Sequence, residues 1–294
     1  MGRGGVQALF RFREDHPRTC RDTSIGPRSQ MSLERRRLAF SIVFVCAVIG
    51  GAALVLRSLG RSGSRTSTAS PARLNAAPTS DPSVRRRVLL GRSTDGRPIY
   101  ALELGDPDNR RRMLVVGVIH GDETAGLPVA RDLTRRRPPK EALLWIVSDL
   151  NPDGAAAGTR QNGDGVDLNR NFPWRWRRLG IPGDLQYAGP RPLSEPETRI
   201  ARSLILRVRP QITIWFHQPL GLVDESGGNI AVERRFARLA SLPLERLTRY
   251  PGSAAGWQDH RLSATTAFVV ELPPGRPSAK RASRYAHAVL GLAS

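Results

Sequence analysis

Residues 113–126 read MLVVGVIHGDETAG, an apolar run that ends in an imidazole and two carboxylates within four residues. The run from Met113 to Ile119 does not alternate with polar residues, which is the pattern of a strand buried on both faces of a parallel sheet. His120 then falls where that strand is expected to end. In open α/β sheets ligands bind outside the carboxyl ends of the strands, so a strand followed at once by His-x-x-Glu marks a candidate metal site. The chain from Thr124 can enter a helix, and residues three apart then share a face, so His120 and Glu123 can address one ion. Taken alone, the motif fits a solvated surface turn better, and its meaning depends on what else reaches the same edge.

Other runs do reach it. QITIWF ends at His217, and ATTAFVVELP ends at Glu271. Four potential ligands or bases, His120, Glu123, His217 and Glu271, thus stand at the ends of three strands, where a sheet can gather them from distant parts of the chain. Three protein ligands of nitrogen and oxygen type, with a fourth position for water, is the arrangement of a catalytic rather than a structural zinc site. The body of the chain has no cysteine, since Cys20 and Cys46 both lie before residue 86. Any metal must therefore be held by His and carboxylate. Of the remaining histidines, His16 lies in the amino-terminal tail, His260 in a polar loop and His287 on a terminal helix face, and each reads as a surface residue.

The rest of the body alternates apolar runs with turn signals. VLLGRS and RPIYALELG flank Asp95-Gly96 as a hairpin, and ALLWIVSDL from Ala142 reads as a further strand. The spacing of Leu127, Ala130 and Leu133 predicts a helix within Thr124 to Arg137. A second helix is expected from Ser194, with Ser194 as N-cap and Glu197 completing a capping box. Strands separated by helices argue for an α/β domain with a mixed, mostly parallel sheet. Asn151-Pro152-Asp153-Gly154 reads as a turn after a strand. In TRQNGDGVDLNRNFP, from Thr159, the residues Arg160, Asn169 and Arg170 are set among glycines that let the backbone approach a ligand, and Arg beside Asn can grip a carboxylate. Asp164 in the same segment reads as a turn residue.

Together, His120-x-x-Glu123, NPDG, GVDLNRNFP, His217-Gln-Pro and Val-Glu271-Leu-Pro, in this order, resemble the zinc metallocarboxypeptidase family, in its short form the murein peptide amidase branch. The resemblance runs from about Gly91-Arg92-Ser93 to the end of the chain. It implies an eight-stranded mixed sheet flanked by helices, and one zinc ion held by His120, Glu123 and His217. It further implies Asp167 behind His120, fixing its tautomer, Glu271 as general base, Arg160 facing the oxyanion, and Asn169 with Arg170 holding a substrate carboxylate. Larger relatives place a mobile Tyr ahead of the base. Tyr250 is the candidate here, and its spacing to Trp257 departs from that pattern. Ala254, Ala255 and Gly256, which would line a side-chain pocket, are small and carry no charge.

Residues 1–85 differ in kind from the body at 86–294. Residues 38–56, LAFSIVFVCAVIGGAALVL, carry no charge and are long enough to cross a bilayer. Arg35, Arg36 and Arg37 precede them, and arginines before the span outnumber those after it by six to four within twenty residues, a modest positive-inside bias. No small-x-small cleavage pattern follows, which favours a retained anchor over a cleaved signal. Residues 1–37 would then be a cytoplasmic tail and 57–85, rich in Ser, Thr, Ala and Pro, a flexible stalk leading to an extracytoplasmic domain. Met31 is an alternative start, which would leave residues 1–30 untranslated.

The formal net charge is +20, and 44 of the 46 basic residues are Arg. They are spread without the aromatic interleaving or motif spacing of a nucleic-acid binder, so no specific nucleic-acid partner is expected. Anionic lipid or acidic wall polymer accounts for the sign as well. The expected function is hydrolysis of an amide beside a free carboxylate in a small, wall-derived peptide. The alternatives are an acylamino-acid deacylase of the same superfamily and a non-catalytic binding module; loss of a ligand or of the base would favour the module, and none is lost.

Overall fold

The strand expected from Met113 forms as β3 (Arg112–Val116) but stops at Val116 rather than Ile119. The cause is a close approach of two glycines. A Cβ on Gly117 would lie 2.4 Å from the Ser148 carbonyl oxygen, and one on Gly126 only 2.0 Å from the Gly117 oxygen. With neither present, the first turn of α1 (Gly126–Arg135) packs directly on the end of the strand. The computed structural model describes residues 85–293. The apolar segment 38–56, the stalk up to residue 84 and the start at Met31 lie outside the described residues. Among the described residues no helix is long and apolar enough to cross a membrane.

Eight strands form one sheet. β1 (Arg85–Arg92) and β2 (Pro98–Leu104) are the expected hairpin. They are followed by β3, β4 (Leu143–Val147), β5 (Ile212–His217), β6 (Leu222–Asp224), β7 (Leu244–Glu245) and β8 (Thr266–Glu271). The order across the sheet is β1-β2-β4-β3-β5-β8-β6-β7. β4, β3, β5 and β8 are parallel, while β2 and β6 run antiparallel to their inner neighbours, so the sheet is mixed and mostly parallel as expected.

Both faces of the parallel core are covered, which is why its strands are uninterrupted apolar runs. Met113, Val115, Ile214, Phe216, Phe268 and Val270 point into one buried cluster, against α1 and the later helices α4 (Ile230–Ala240) and α6 (Ala279–Leu290). Leu114, Val116, Trp215 and Ala267 point the other way, against α3 (Pro196–Val208) and α5 (Ala254–Arg261). Each fully buried Val, Leu, Ile or Phe contributes about 1.5–3 kcal/mol, so the two layers fix the strand register firmly. The chain leaves β3 towards β4 on one side while β5 lies on the other, which puts the topological switch point, and hence a crevice, between β3 and β5.

Local expectations fared unevenly. α1 forms two residues inside its expected limits at each end. α3 does not start with a capping box: its N-cap is Glu195, with Pro196 at the first helical position and no side-chain cap. The two residues of the expected box are engaged elsewhere. Ser194 Oγ donates to Glu195 at 2.6 Å, and buried Glu197 accepts from the Thr94 amide and from Asn162. The NPDG turn is the start of a short helix, α2 (Pro152–Ala157), capped by the Asn151 side chain, which accepts from the Gly154 amide. His260 lies on α5, not in a loop.

Candidate active site and metal centre

The crevice at the switch point is built from loops pressed together at glycines. A Cβ on Gly121 would lie 1.9 Å from the Gly154 carbonyl carbon, so HGDE and NPDG meet backbone to backbone. Asn151 fastens that contact, donating to the Ile119 and Arg160 carbonyls at 3.1 and 3.3 Å. Asp153 accepts from Ser93 at 2.7 Å, which ties in the GRS segment of the first hairpin.

His120, Glu123 and His217 come together there, all buried, with ligand atoms within 4.8 Å of one another. His217 Nδ1 lies 3.1 Å from His120 Nδ1 and 2.9 Å from Glu123 Oε2, and His120 Nδ1 lies 2.9 Å from Glu123 Oε1. His120 Nε2 is 3.0 Å from Asp167 Oδ1. In the tautomer that donates Nε2–H to Asp167, the Nδ1 lone pair faces the Glu123 carboxylate and the other imidazole. Three electron-rich atoms then converge on one point, and a bound cation is what relieves them. Two imidazoles and one carboxylate are a donor set that suits zinc.

Charges around this point are mutually dependent. Burial pushes the Glu123 carboxyl up, but His217 and His120 outweigh it and hold it well below the usual carboxylate range. Burial likewise opposes ionisation of Asp167, and His120, Arg160 and Arg170 overcome it. Arg160 lies across both carboxylates, donating from Nη1 to Glu123 at 2.9 Å and from Nε to Asp167 at 3.0 Å. Glu271 is directly paired with His217 across β5 and β8. Burial, with the Glu123 charge adding and His217 opposing, raises its carboxyl, and its buried Oε2 has no hydrogen-bond partner among the described residues.

A cleft of about 760 Å³ opens from this centre and is lined by His120, Glu123, His217, Arg160 and Glu271, and further out by Asn169, Arg170 and Tyr250. Asn169 and Arg170 lie on a short 3₁₀ turn capped by Asp167, which accepts from the Asn169 amide. Asn169 Oδ1 accepts from the Ala254 amide at 2.9 Å, leaving its NH₂ for the cleft. The Arg170 guanidinium stacks on the Tyr250 ring, 4.2 Å from its centroid; its Nη1 donates to the Asn169 carbonyl, and among the described residues its buried Nε has no partner. Tyr250 is brought there by Gly252. At φ +71° a Cβ would lie 2.1 Å from the Arg170 carbonyl oxygen, so the two backbones touch. Ala255 and Gly256 line the cleft. Asp164 is exposed in its turn and outside the cleft. His260 stacks on Trp174 at the cleft wall, whereas His287 stays on the exposed face of α6.

Gln218, quoted in the His217-Gln-Pro motif, has a role that the motif alone does not assign. Its amide N–H donates to Glu123 at 3.1 Å, its Oε1 accepts from Ala125, and its Nε2 donates to the Pro273 and Gly275 carbonyls. One side chain thus ties the Glu123 loop to the segment after Glu271. Its place beside a strand-end His was the available signal.

A mixed sheet with a His, Glu, His cluster at its switch point and a buried carboxyl alongside defines a metal-dependent hydrolase. The sequence profile of the zinc carboxypeptidase family matches residues 72–219, and the chain belongs to that family. It is a zinc-dependent metallopeptidase-type hydrolase. Murein peptide amidase A of Escherichia coli K12 is 32% identical over 198 residues, covering 63% of this chain and 80% of the relative. The crystal structure of murein-tripeptide amidase from Escherichia coli O157 superposes with a TM-score of 0.58 at 28% identity, over 74% of this chain and 93% of that one. Carboxypeptidase A from Helicoverpa armigera, with a TM-score of 0.63 at 19% identity over 72% of this chain and 68% of that one, shares the fold.

Proposed function

We propose that the protein hydrolyses an amide bond adjacent to a free carboxylate in a murein stem peptide, as a γ-D-glutamyl-diaminopimelate amidase or a carboxypeptidase. The observation that carries this reading is Arg170. Its guanidinium is buried in the cleft wall beside the metal centre, stacked on Tyr250, and among the described residues it forms no ion pair. A buried cation of that kind calls for an anionic ligand group. The similarity to murein peptide amidase A supports the wall-derived substrate.

Zinc held by His120, Glu123 and His217 supplies a Lewis acid that polarises the amide carbonyl and acidifies water at neutral pH. Asp167 keeps His120 in the ligating tautomer and orientation. Arg170 and the Asn169 NH₂ hold the substrate carboxylate and so fix the scissile carbonyl in the cleft. Glu271, raised by burial, takes the proton of the attacking water and passes it to the departing amine. Arg160 offers a fixed positive charge to the oxyanion as it forms. Residues 38–56 anchor the chain in the cell membrane, and residues 57–85 carry the catalytic domain, 86–294, outside it.

The test is to incubate the full-length, zinc-loaded protein with wall stem peptides, their carboxyl-amidated forms and N-acyl amino acids, and to identify products by mass. Cleavage confined to stem peptides with the free carboxylate is expected. Equal cleavage of acid and amide forms would overturn the carboxylate reading, and cleavage of N-acyl amino acids alone would favour the deacylase. For topology, protease added to intact cells should release a soluble domain by cutting within residues 58–85, and protection until lysis would place the domain in the cytoplasm.

A further inference from the structure

The helices that cover one face of the sheet carry a one-sided distribution of charge. α1, α4 and α6 pack onto the same buried cluster, and α6 touches both of the others, so the three form one layer. Outward from that layer stand Arg131 and Arg135 on α1, Lys280, Arg281 and Arg284 on α6, and Arg234 and Arg238 on α4, all exposed. No exposed acid accompanies them on these helices. Glu233 on α4 is completely buried. Asp132 on α1 is engaged inside the layer, where Arg136 meets it at 2.6 Å while also donating to Ser283 Oγ of α6 at 2.8 Å. Among the described residues none of the outward cations just named forms an ion pair.

This arrangement works against the helices that carry it. Arg131 and Arg135, Lys280 and Arg284, and Arg234 and Arg238 are each four residues apart, where like charges destabilise a helix. Lys280 and Arg281 stand in the first turn of α6, which has no acidic residue, although the helix dipole favours negative charge there. Anions seated against the face relieve both penalties. The charges run in rows along three neighbouring helices, whose axes in such a layer lie about 8–10 Å apart, so they are spread over two dimensions. One polymer strand can follow one row, whereas a flat anionic surface meets all three at once. Guanidinium suits phosphate in particular, since its planar fork pairs with two oxygens. Leu239, 43% exposed beside Arg238, adds an apolar contact at the same surface.

We propose that the layer of α1, α4 and α6 is a docking surface for a bilayer rich in anionic phospholipid. No residue of these helices lines the cleft, which opens at the carboxyl edge of the parallel strands, so docking leaves the metal centre uncovered. The proposal does not depend on the hydrolase reading. It gains from the anchor proposed above: a stalk of residues 57–85 would keep the domain on the order of 30 Å from the bilayer, and at that effective concentration a modest attraction per charge is enough.

The test reads which face meets the lipid. In the full-length, zinc-loaded protein with Cys20→Ser and Cys46→Ala, a single cysteine carrying a donor dye is placed on α6 by Ala279→Cys or on α3, across the sheet, by Ser203→Cys; both positions are exposed. Each protein is reconstituted with vesicles of phosphatidylcholine alone or of equimolar phosphatidylcholine and phosphatidylglycerol, both containing an acceptor-labelled lipid. Energy transfer from position 279 should rise with the anionic lipid and exceed that from position 203. Salt at about 1 M should abolish the rise, because the screening length is then about 3 Å. Arg281→Glu with Arg284→Glu should lower the ratio of docked to undocked protein about tenfold or more, whereas the same charge change on α3, Arg202→Glu with Arg207→Glu, should alter it by less than about threefold. No rise, an equal rise at both positions, or an equal loss in both charge-reversed proteins overturns the docking face. So does capture of a soluble poly(glycerol phosphate) through α6 with no response to anionic vesicles, which would assign the face to an acidic polymer. The first comparison needs no charge reversal, so poor folding of a reversed variant does not shield the proposal. Flotation with phosphatidylcholine vesicles reports the anchor separately; without it the anchor fails, while the rise in transfer on anionic vesicles still decides the face.

Discussion

Around the metal centre Glu123 meets His120, His217, Arg160 and the Gln218 amide, and Asp167 meets His120, Arg160 and the Asn169 amide. Asp259, bonded to the Ala267 amide on the order of 13 Å along β8, and Glu233 on α4 each keep one buried oxygen without a partner among the described residues. Glu271 at the reacting end does the same. The carboxylates that hold a metal and its orienting residues are matched in advance, so their charge is fixed before anything binds. Glu271, Asp259 and Glu233 are left with one unmatched oxygen each, and burial raises all three. Preorganisation and incompleteness thus coexist in one cleft, and both are stabilised by the same strands.

Breaking the unmatched group at the reacting end has the largest expected effect. Glu271→Gln retains size and hydrogen bonding but cannot accept the water proton, so kcat should fall by about a thousandfold or more. Zinc content, read by elemental analysis, should stay stoichiometric. His217→Ala should do the reverse and lose the metal. Stoichiometric zinc in His217→Ala would sink the ligand assignment, and normal turnover in Glu271→Gln the base.

Next is the unpaired cation. Arg170→Ala removes the grip on the substrate carboxylate and costs about 2 to 4 kcal/mol of transition-state stabilisation, combining charge-assisted bonds with lost positioning. That is roughly thirty- to a thousandfold in kcat/KM. A substrate with an amidated carboxylate should be hardly affected, and an equal loss on both substrates would mean that Arg170 acts on the fold rather than on the ligand.

The matched side of the comparison is sharpened by Asp167→Asn. The change keeps a side chain of the same shape at His120 and Arg160 but removes the charge that fixes both. Zinc affinity should fall roughly ten- to a hundredfold, as for other groups standing behind a metal ligand. Competition with a chromogenic chelator measures this directly, and unchanged affinity would show that the imidazole is oriented by packing alone.

The reacting end was legible in the sequence because its key groups follow or close strands, and strands that are buried on both faces announce themselves as apolar runs. His120, His217 and Glu271 needed only that regularity, and Arg160, Asn169 and Arg170 came with their glycines. The distal end was not legible, for two physical reasons. β6 and β7 are only three and two residues long, too short for any periodicity to reveal Asp224. α5 is polar and weakly patterned, so Ala255 was read as a small pocket residue without its helical partner. Once α5 is known, Asp259 follows at i+4 from Ala255 on the same face. The strand limits at Gly117 and the lost capping box at Ser194 share another cause: backbone contacts and side-chain partners far away in sequence overrode a sound local signal.

The smallest effect probes the unmatched carboxyls through stability. Asp259 and Glu233 are pushed up to about 7 in the folded chain, against ordinary values of about 4 when unfolded. The folded state therefore binds more protons than the unfolded state between about pH 4 and pH 7, and stability falls as pH rises through that window. Above it, folding keeps a buried charge that the unfolded chain would solvate. Asp259→Asn removes one such charge and relieves Glu233 of a like neighbour. In the metal-free protein the variant should be more stable than wild type by about 1 to 2 kcal/mol at pH 8, after allowance for partial solvent access, and the gap should shrink towards zero at pH 5. Urea midpoints of the two proteins at both pH values provide the measurement. A gap that is constant with pH would mean that Asp259 is already ionised and compensated in the folded state, and the contrast between the two ends of the cleft would then reduce to hydrogen-bond geometry without a difference in charge.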